Sequence, residues 1–315
     1  MVTVSVVVPF RDAGRYLSEA IASVQSQGWS DWEMLLVDDG STDGSADIAA
    51  AAAVGDPRLR LLRRPSDAGP SAAAARNLGI REARGDFVAF LDADDVFQPD
   101  NLESRLRGFE AHPQVMVVYG PTRWWHPGAE RRDWTEGMRR EAGRVHRPPE
   151  LLNRVVLLQL GHVPCTCGVM VRRRALDLTG GFDEAFHLYE DQTLWVKLFL
   201  RYAVYVTPVV GARYRQHPDS ATARSEAAGV YVRTRPHRAR VAFLVWVRDH
   251  AREAGLADDS VERALRLAFA PYERNVGLRP GERLTLAAHR LRKRVRRPIA
   301  RIPRRARPPA SDQMS

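Results

Sequence analysis

Two groups of carboxylates stand at the ends of strand-like apolar runs. Asp38-Asp39 follows Glu33–Val37, and Asp92-Ala93-Asp94-Asp95 closes the run Asp86–Leu91. In an open α/β sheet, ligands bind in the crevice at the carboxyl ends of the strands. Two acidic tips at neighbouring strand ends therefore predict one negatively charged pocket. Carboxylates so close repel unless a cation or a ligand's hydrogen-bond donors hold them. A divalent metal carrying a phosphorylated substrate is the simplest occupant. Hard cations such as Mg²⁺ and Mn²⁺ prefer carboxylate oxygens and bind through one or two of them plus substrate phosphates.

Strand and helix patterns alternate around these tips. Strands are predicted at Thr3–Val8, Glu33–Val37, Leu59–Leu62, Asp86–Leu91 and Val115–Tyr119. Between them, helical spacing covers Tyr16–Gln25, a stretch through Ile48–Ala53 capped from Ser41-Thr42-Asp43, Gly69–Glu82, and Pro99 to about Glu110. Repeated βα units predict a mostly parallel sheet with helices on both faces. The rhythm changes at 120–148, where Trp124, Trp125 and Trp134 sit among Pro, Gly and Arg as an extended hairpin or loop. Helical spacing follows at Glu150–Leu160 and Tyr189–Leu200, a strand at Gly168–Val171, and edge strands at Val204–Val206 and Ala212–Arg215. From Ser225 to about Arg294 the pattern is helical, with breaks at Gly255 and Pro280. The predicted organisation is a catalytic domain over 1–220, with halves at about 1–119 and 120–220. A helical extension over 221–289 and a basic tail over 290–315 follow.

The net charge of +10 conceals a division. Residues 221–315 hold 22 Lys/Arg against 9 Asp/Glu, whereas the first 220 hold 26 against 29. The basicity belongs to the last third, so it does not mark the whole protein as a nucleic-acid binder. Arg290–Arg307 carries ten Lys/Arg, no acid and two prolines. Such a segment predicts disorder on its own, and it could rest on an anionic membrane surface. The N-terminal β-branched run lacks a signal-peptide pattern, and no apolar stretch approaches the ~20 residues of a membrane span. Cys165 and Cys167, one residue apart, would point to opposite faces of a strand and make no disulfide. A cytoplasmic protein is expected.

Several motifs fall in a recognisable order: Val4-Ser5-Val6-Val7-Val8-Pro9, Val37-Asp38-Asp39-Gly40-Ser41-Thr42-Asp43, Ala75-Arg76-Asn77-Leu78-Gly79, Gly85 through Asp95, Gly181-Phe182-Asp183 and Glu190-Asp191. Over roughly residues 2–220 this order resembles the family 2 glycosyltransferases of the GT-A fold. The resemblance implies an inverting transferase that uses a nucleotide-diphosphate sugar and Mg²⁺ or Mn²⁺. It places Asp94 as chief metal ligand, with Asp92 and Asp95 on metal or ribose, and His217 in a late segment that closes over the diphosphate or metal. It gives Asp39 to the nucleotide base with Asp38 beside it, Pro9 and Phe10 to framing that base, and Arg76 to base or phosphate. A carboxylate suits the imide N–H of uracil or thymine, so UDP or dTDP is favoured. The family commonly has Tyr-Asn where this chain has Phe10-Arg11.

Inversion needs one base for the acceptor's proton. The resemblance gives that role to Asp191, with Glu190 as runner-up. A carboxylate at a helix start is also held anionic by the dipole. Trp124 and Trp125 could stack on a sugar or lipid-linked acceptor, or simply pack. Two rivals share parts of this pattern. A glycoside hydrolase uses paired carboxylates but needs neither metal nor nucleotide, and a polyanion-binding protein would use only the tail.

Overall fold

The computed structural model describes residues 3–65, 69–229 and 237–272. These all fall within one unit, 1–274. The expected break at Pro280, the remainder of the helical extension and the basic tail with its membrane contact lie outside the described residues.

The strands are β1 (Val4–Phe10), β2 (Trp32–Asp38), β3 (Leu59–Arg63), β4 (Phe87–Phe90), β5 (Val96–Phe97), β6 (Val117–Tyr119), β7 (Thr122–Trp125), β8 (Trp134–Thr135), β9 (Arg144–His146), β10 (Val169–Arg172), β11 (Val204–Val206) and β12 (Ala212–Arg215). The helices are α1 (Leu17–Gln25), α2 (Ser45–Gly55), α3 (Ala72–Glu82), α4 (Asn101–Ala111), α5 (Arg173–Thr179), α6 (Glu190–Arg201), α7 (Ala221–Ala227), α8 (Arg238–Glu253) and α9 (Asp259–Phe269).

An eight-stranded sheet runs β3-β2-β1-β4-β10-β6-β11-β9. Its first four strands are parallel, whereas β10 runs antiparallel between β4 and β6. The sheet is therefore mixed, and β10 divides its parallel part. Both faces are covered, which is why β1 is apolar without alternation. Val4, Val6, Val8 and Phe10 enter a core with α1 and α4, while Val7 enters the other core with α3 and α6. Gly79 lets α3 lie against β1, since a Cβ there would stand 2.3 Å from Val7 Cγ1.

A second sheet, β5-β12-β7-β8, grows from the residues just after the second acidic cluster. The predicted edge strands are interior: β11 lies between β6 and β9, and β12 between β5 and β7. The reason is that the 120–148 segment supplies strands to both sheets. The helix expected at Glu150–Leu160 is one π-type turn, Leu152–Leu157. The predicted cap at Ser41-Thr42-Asp43 is shifted: Gly44, in the left-handed region, precedes α2, and Asp43 accepts the Ser45 N–H at 3.0 Å. Phe243, Leu244 and Val247 of α8 and Val261 and Leu265 of α9 join the core on the α3 face. The helical stretch breaks at Gly255, as expected. Among the described residues, no helix is long and apolar enough to cross a membrane.

Candidate active site

The tip after β4 turns tightly, with Asp95 N–H donating to Asp92 O at 2.9 Å. That turn sends its three aspartates in different directions. The Asp92 and Asp94 side chains keep part of their surface open, while Asp95 is 1% exposed. Asp94 Oδ2 lies 2.9 Å from His217 Nε2, and the His217 ring packs on Tyr16 with centroids 4.7 Å apart. Asp95 instead accepts the Arg215 N–H at 2.9 Å, which ties the tip to β12. Burial, then the charges of Asp94 and Asp92, push its carboxyl well above the usual range. Asp95 is thus turned into the fold and not toward the open pocket.

Arg215, which sequence reasoning passed over, fixes this arrangement. Its Nε donates to Asp94 O at 2.7 Å and its Nη2 to Glu19 at 2.5 Å. Its guanidinium lies 4.2 Å from the Trp125 ring centroid and 4.9 Å from that of Tyr16. A residue that joins four separate segments has no local sequence signature.

Arg76 joins the acidic tip to the start of α6. It is 4% exposed, donates to Asp92 Oδ1 at 2.6 Å, and reaches Glu190 Oε1 at 3.4 Å. Burial alone would favour the neutral guanidine, but Asp92, Glu190 and Asp191 outweigh it and hold the charge. The next residue, Asn77, holds Phe182 at both backbone groups, donating to its O at 3.0 Å and accepting its N–H at 2.9 Å. Gly181 sits at φ +68°, with its position beside Asn77 closed to a Cβ. Two motifs separated by a hundred positions are thereby one unit.

Glu190 and Asp191 open α6 after Tyr189, which adopts φ 70°. Asp191 is half-buried, and its carboxyl is pushed up to about 7 by desolvation and then by Glu190, with Arg76 opposing. A helix-start carboxylate held near neutrality suits proton transfer better than simple dipole complementation.

At the nucleotide end, Asp38 accepts the Ser41 N–H at 2.9 Å. Asp39 pairs with Arg64 and accepts the Ser71 N–H at 2.7 Å. Each carboxylate oxygen has room for a second donor, so Asp39 retains the capacity to accept an imide N–H. Arg64 lies one position beyond β3 and carries no motif, so it was not foreseen. Phe10 is buried in the core at 3% exposure, and Pro9 is buried with it. The Phe10 contribution seen here is its carbonyl, which accepts the Asp39 N–H at 2.9 Å.

Glu136 is a further carboxyl that sequence reasoning missed. It accepts from Thr122 N–H at 3.0 Å, Trp124 Nε1 at 3.2 Å and Cys165 Sγ at 3.4 Å, and burial pushes it up to about 7. Cys165 and Cys167 are free thiols. Trp125 lies under Arg213 and Arg215, so of the two tryptophans expected to meet an acceptor, this one is engaged by cations.

Together, the sheet order and the acidic tip at its strand ends match a GT-A scaffold. The family described as Glycosyl transferase family 2 matches residues 5–179, more than half of the chain, and the chain belongs to that family. Among relatives, an uncharacterised glycosyltransferase of Haemophilus influenzae is 41% identical over 120 residues, covering 38% of this chain and 47% of its own length. The O-antigen biosynthesis protein RfbC of Myxococcus xanthus is 32% identical over 240 residues, covering 74% of this chain and 17% of its own. The chain thus spans less than half the length of these relatives.

Among solved structures, S. aureus TarS 1-349 in complex with UDP-GlcNAc aligns with a TM-score of 0.59 at 20% identity, covering 92% of this chain and 71% of that one. The mannosyltransferase PcManGT from Pyrobaculum calidifontis, in complex with GDP-Man and Mn²⁺, aligns at 0.51 and 19%, covering 93% and 86%. These likenesses support the fold. The hydrolase and polyanion-binder readings are not favoured.

Proposed function

We propose that this glycosyltransferase moves a sugar, with inversion, from a nucleotide-diphosphate sugar to a hydroxyl acceptor during surface polysaccharide or glycoconjugate synthesis. The observation that carries this reading is the Arg76 bridge, which brings the Asp92–Asp94 tip and the Glu190–Asp191 pair to one site. The O-antigen biosynthesis relative supports the biological setting.

Asp191 is the general base. The acceptor oxygen attacks the anomeric carbon from the face opposite the diphosphate, the bond to the diphosphate breaks, and the acceptor proton passes to Asp191. Glu190 remains paired with Arg76, which also orients Asp92. Asp39, with Arg64 beside it, receives the base, and Asp38 shapes the turn below. A pyrimidine imide fits Asp39, so UDP or dTDP is favoured.

A divalent cation fits the residues present. Asp94 Oδ2 and His217 Nε2 form a close donor pair. Among the described residues no cluster of three His, Cys, Asp or Glu can hold a metal by itself. Diphosphate oxygens would complete the coordination of Mg²⁺ or Mn²⁺. When bound, the cation would offset charge on the departing diphosphate.

A screen of UDP-, dTDP- and GDP-sugars with Mg²⁺ and Mn²⁺, read as thermal protection and as donor hydrolysis, tests the reading. Protection by one nucleotide that requires the metal and Asp94 is expected. Absence of protection by every nucleotide would overturn it.

A further inference from the structure

Beyond the donor site, the second sheet carries an aromatic row that the reaction above does not use. In register, Tyr214 of β12 stands beside Trp124 of β7, and Trp124 beside Trp134 of β8. Their side chains share one face of this sheet. Trp124 meets Tyr214 edge-on at 4.9 Å and stacks on Trp134 at 4.8 Å and 19°. The neighbouring positions, Arg215 beside Trp125 and Arg123 beside Thr135, belong to the opposite face.

The row has a closed end and an open end. At the closed end, Tyr214 precedes Arg215, whose N–H ties Asp95 at the acidic tip. At the open end, Trp134 is 41% exposed; among the described residues, Val54 and Leu178 are the other exposed large apolar side chains. His162 flanks it, with ring centroids 5.7 Å apart. Glu136, two positions after Trp134, rises on the same side of β8 and fixes the middle ring through Trp124 Nε1. Its other side-chain contact is Cys165, whose thiol is pushed up by burial, then by the charges of Glu136 and Asp95, and last by that of Asp191. One face of one small sheet therefore leads from an open tryptophan to the neighbourhood of the base.

We propose that the Trp134–Trp124–Tyr214 row is the acceptor subsite, with the Trp134 ring as a platform for a sugar ring of the acceptor. This rests on the transferase reading above. A stacked indole offers an apolar face matched to the C–H face of a pyranose, and ordering it costs little because packing already fixes it. A row of aromatic rings with few polar groups is how carbohydrate-sized ligands are commonly received. The carboxyl nearby is already satisfied by three donors, so Glu136 is a positioning residue that sets the angle of Trp124 and does not meet the sugar.

The test uses the full chain and a panel of p-nitrophenyl glycosides as acceptor probes, in wild type, Trp134→Ala and Trp134→Phe. Saturation-transfer NMR without donor reads binding, and transfer kinetics with the donor found in the nucleotide screen read use. The wild type is expected to bind at least one glycoside through its ring protons. Trp134→Ala should raise the acceptor KM by about tenfold and Trp134→Phe by only about twofold. The donor KM and acceptor-free donor hydrolysis should stay unchanged.

Equal glycoside binding by wild type and Trp134→Ala would overturn the proposal, as would loss confined to the donor KM. A change of oligomeric state in sedimentation on Trp134→Ala would overturn it too, by giving the surface to a second copy. Failure of the transferase reading appears separately, as absence of donor turnover by the wild type.

Discussion

The proposed donor side and the proposed acceptor side of this site treat their carboxyls in opposite ways. On the donor side, acids are paired with arginine: Asp39 with Arg64, Asp92 with Arg76, and the tip's backbone with Arg215. On the acceptor side, Glu136 is held by an indole N–H, a backbone N–H and a thiol, with no ion pair to it among the described residues. Asp191 lies at the junction, pushed toward neutrality by burial and by Glu190, with Arg76 drawing it back. The difference matches what each side would receive in the proposed reaction. A diphosphate and its cation need fixed charges that neither collapse nor repel, which paired acids provide. A sugar hydroxyl about to lose its proton needs a base that is basic but not already quenched by a salt bridge.

The sharpest way to break this comparison is at the junction. Asp191→Asn keeps the shape and removes the base, so kcat should fall by roughly 10²–10⁴-fold with the donor KM little changed. Glu190→Gln should cost less, since that carboxylate serves Arg76. If the two losses were reversed in size, Glu190 would be the base.

Next in size is the arginine that holds the two sides together. Arg76→Ala strands Asp92 and Glu190 in a part-buried setting, and breaking such a pair costs about 3–5 kcal/mol. Both a lowered melting temperature and a fall in kcat are expected. Arg76→Lys should recover stability better than rate, because one ammonium cannot span both carboxylates as a guanidinium does. Full activity in Arg76→Ala with a normal melting curve would separate the two sides.

A smaller effect is expected at the cation. His217→Ala removes one of two close donors while leaving Asp94, so the apparent affinity for Mn²⁺ should weaken by about 10-fold, with rate restored at high metal. Asp94→Ala should not be rescued in this way. Titration of each variant with Mn²⁺ under a fixed nucleotide distinguishes them.

How much of this was legible in the sequence follows the reach of each interaction. The βα units of the first half were readable because apolar runs and helical spacing are local signals. Asp92, Asp94, Arg76 and Asp191 were expected from the order of motifs, and Arg76 bonds both to Asp92 and to Glu190, the neighbour of Asp191. The direction of Asp95 was not readable, since it depends on a strand over a hundred positions later offering the Arg215 N–H. Phe10 shows the same limit. Its place at a strand end suggested a face toward ligand, but the period of β1 sends it into the core with Val8. Arg64 and Glu136 have no spacing signal at all, because their roles arise only where separate segments meet.

A last predicted effect is the cleanest test of how Asp191 is held. Its carboxyl is raised from an ordinary 3.8 to about 7 in the folded chain. Folding therefore favours the protonated form. That contribution is complete below about pH 4 and is lost as pH rises through about 7. Above that, the wild type carries an ionised group that its surroundings resist, and Asp191→Asn does not. At pH 8 the variant should be more stable by about 1–2 kcal/mol, allowing for solvent near a half-buried group. At pH 4 the two should melt together. Melting curves at both pH values read this without any substrate. A variant equally stable, or less stable, at pH 8 would mean that Arg76 compensates Asp191 fully, and the contrast between a paired donor side and an unpaired base would lose its central residue.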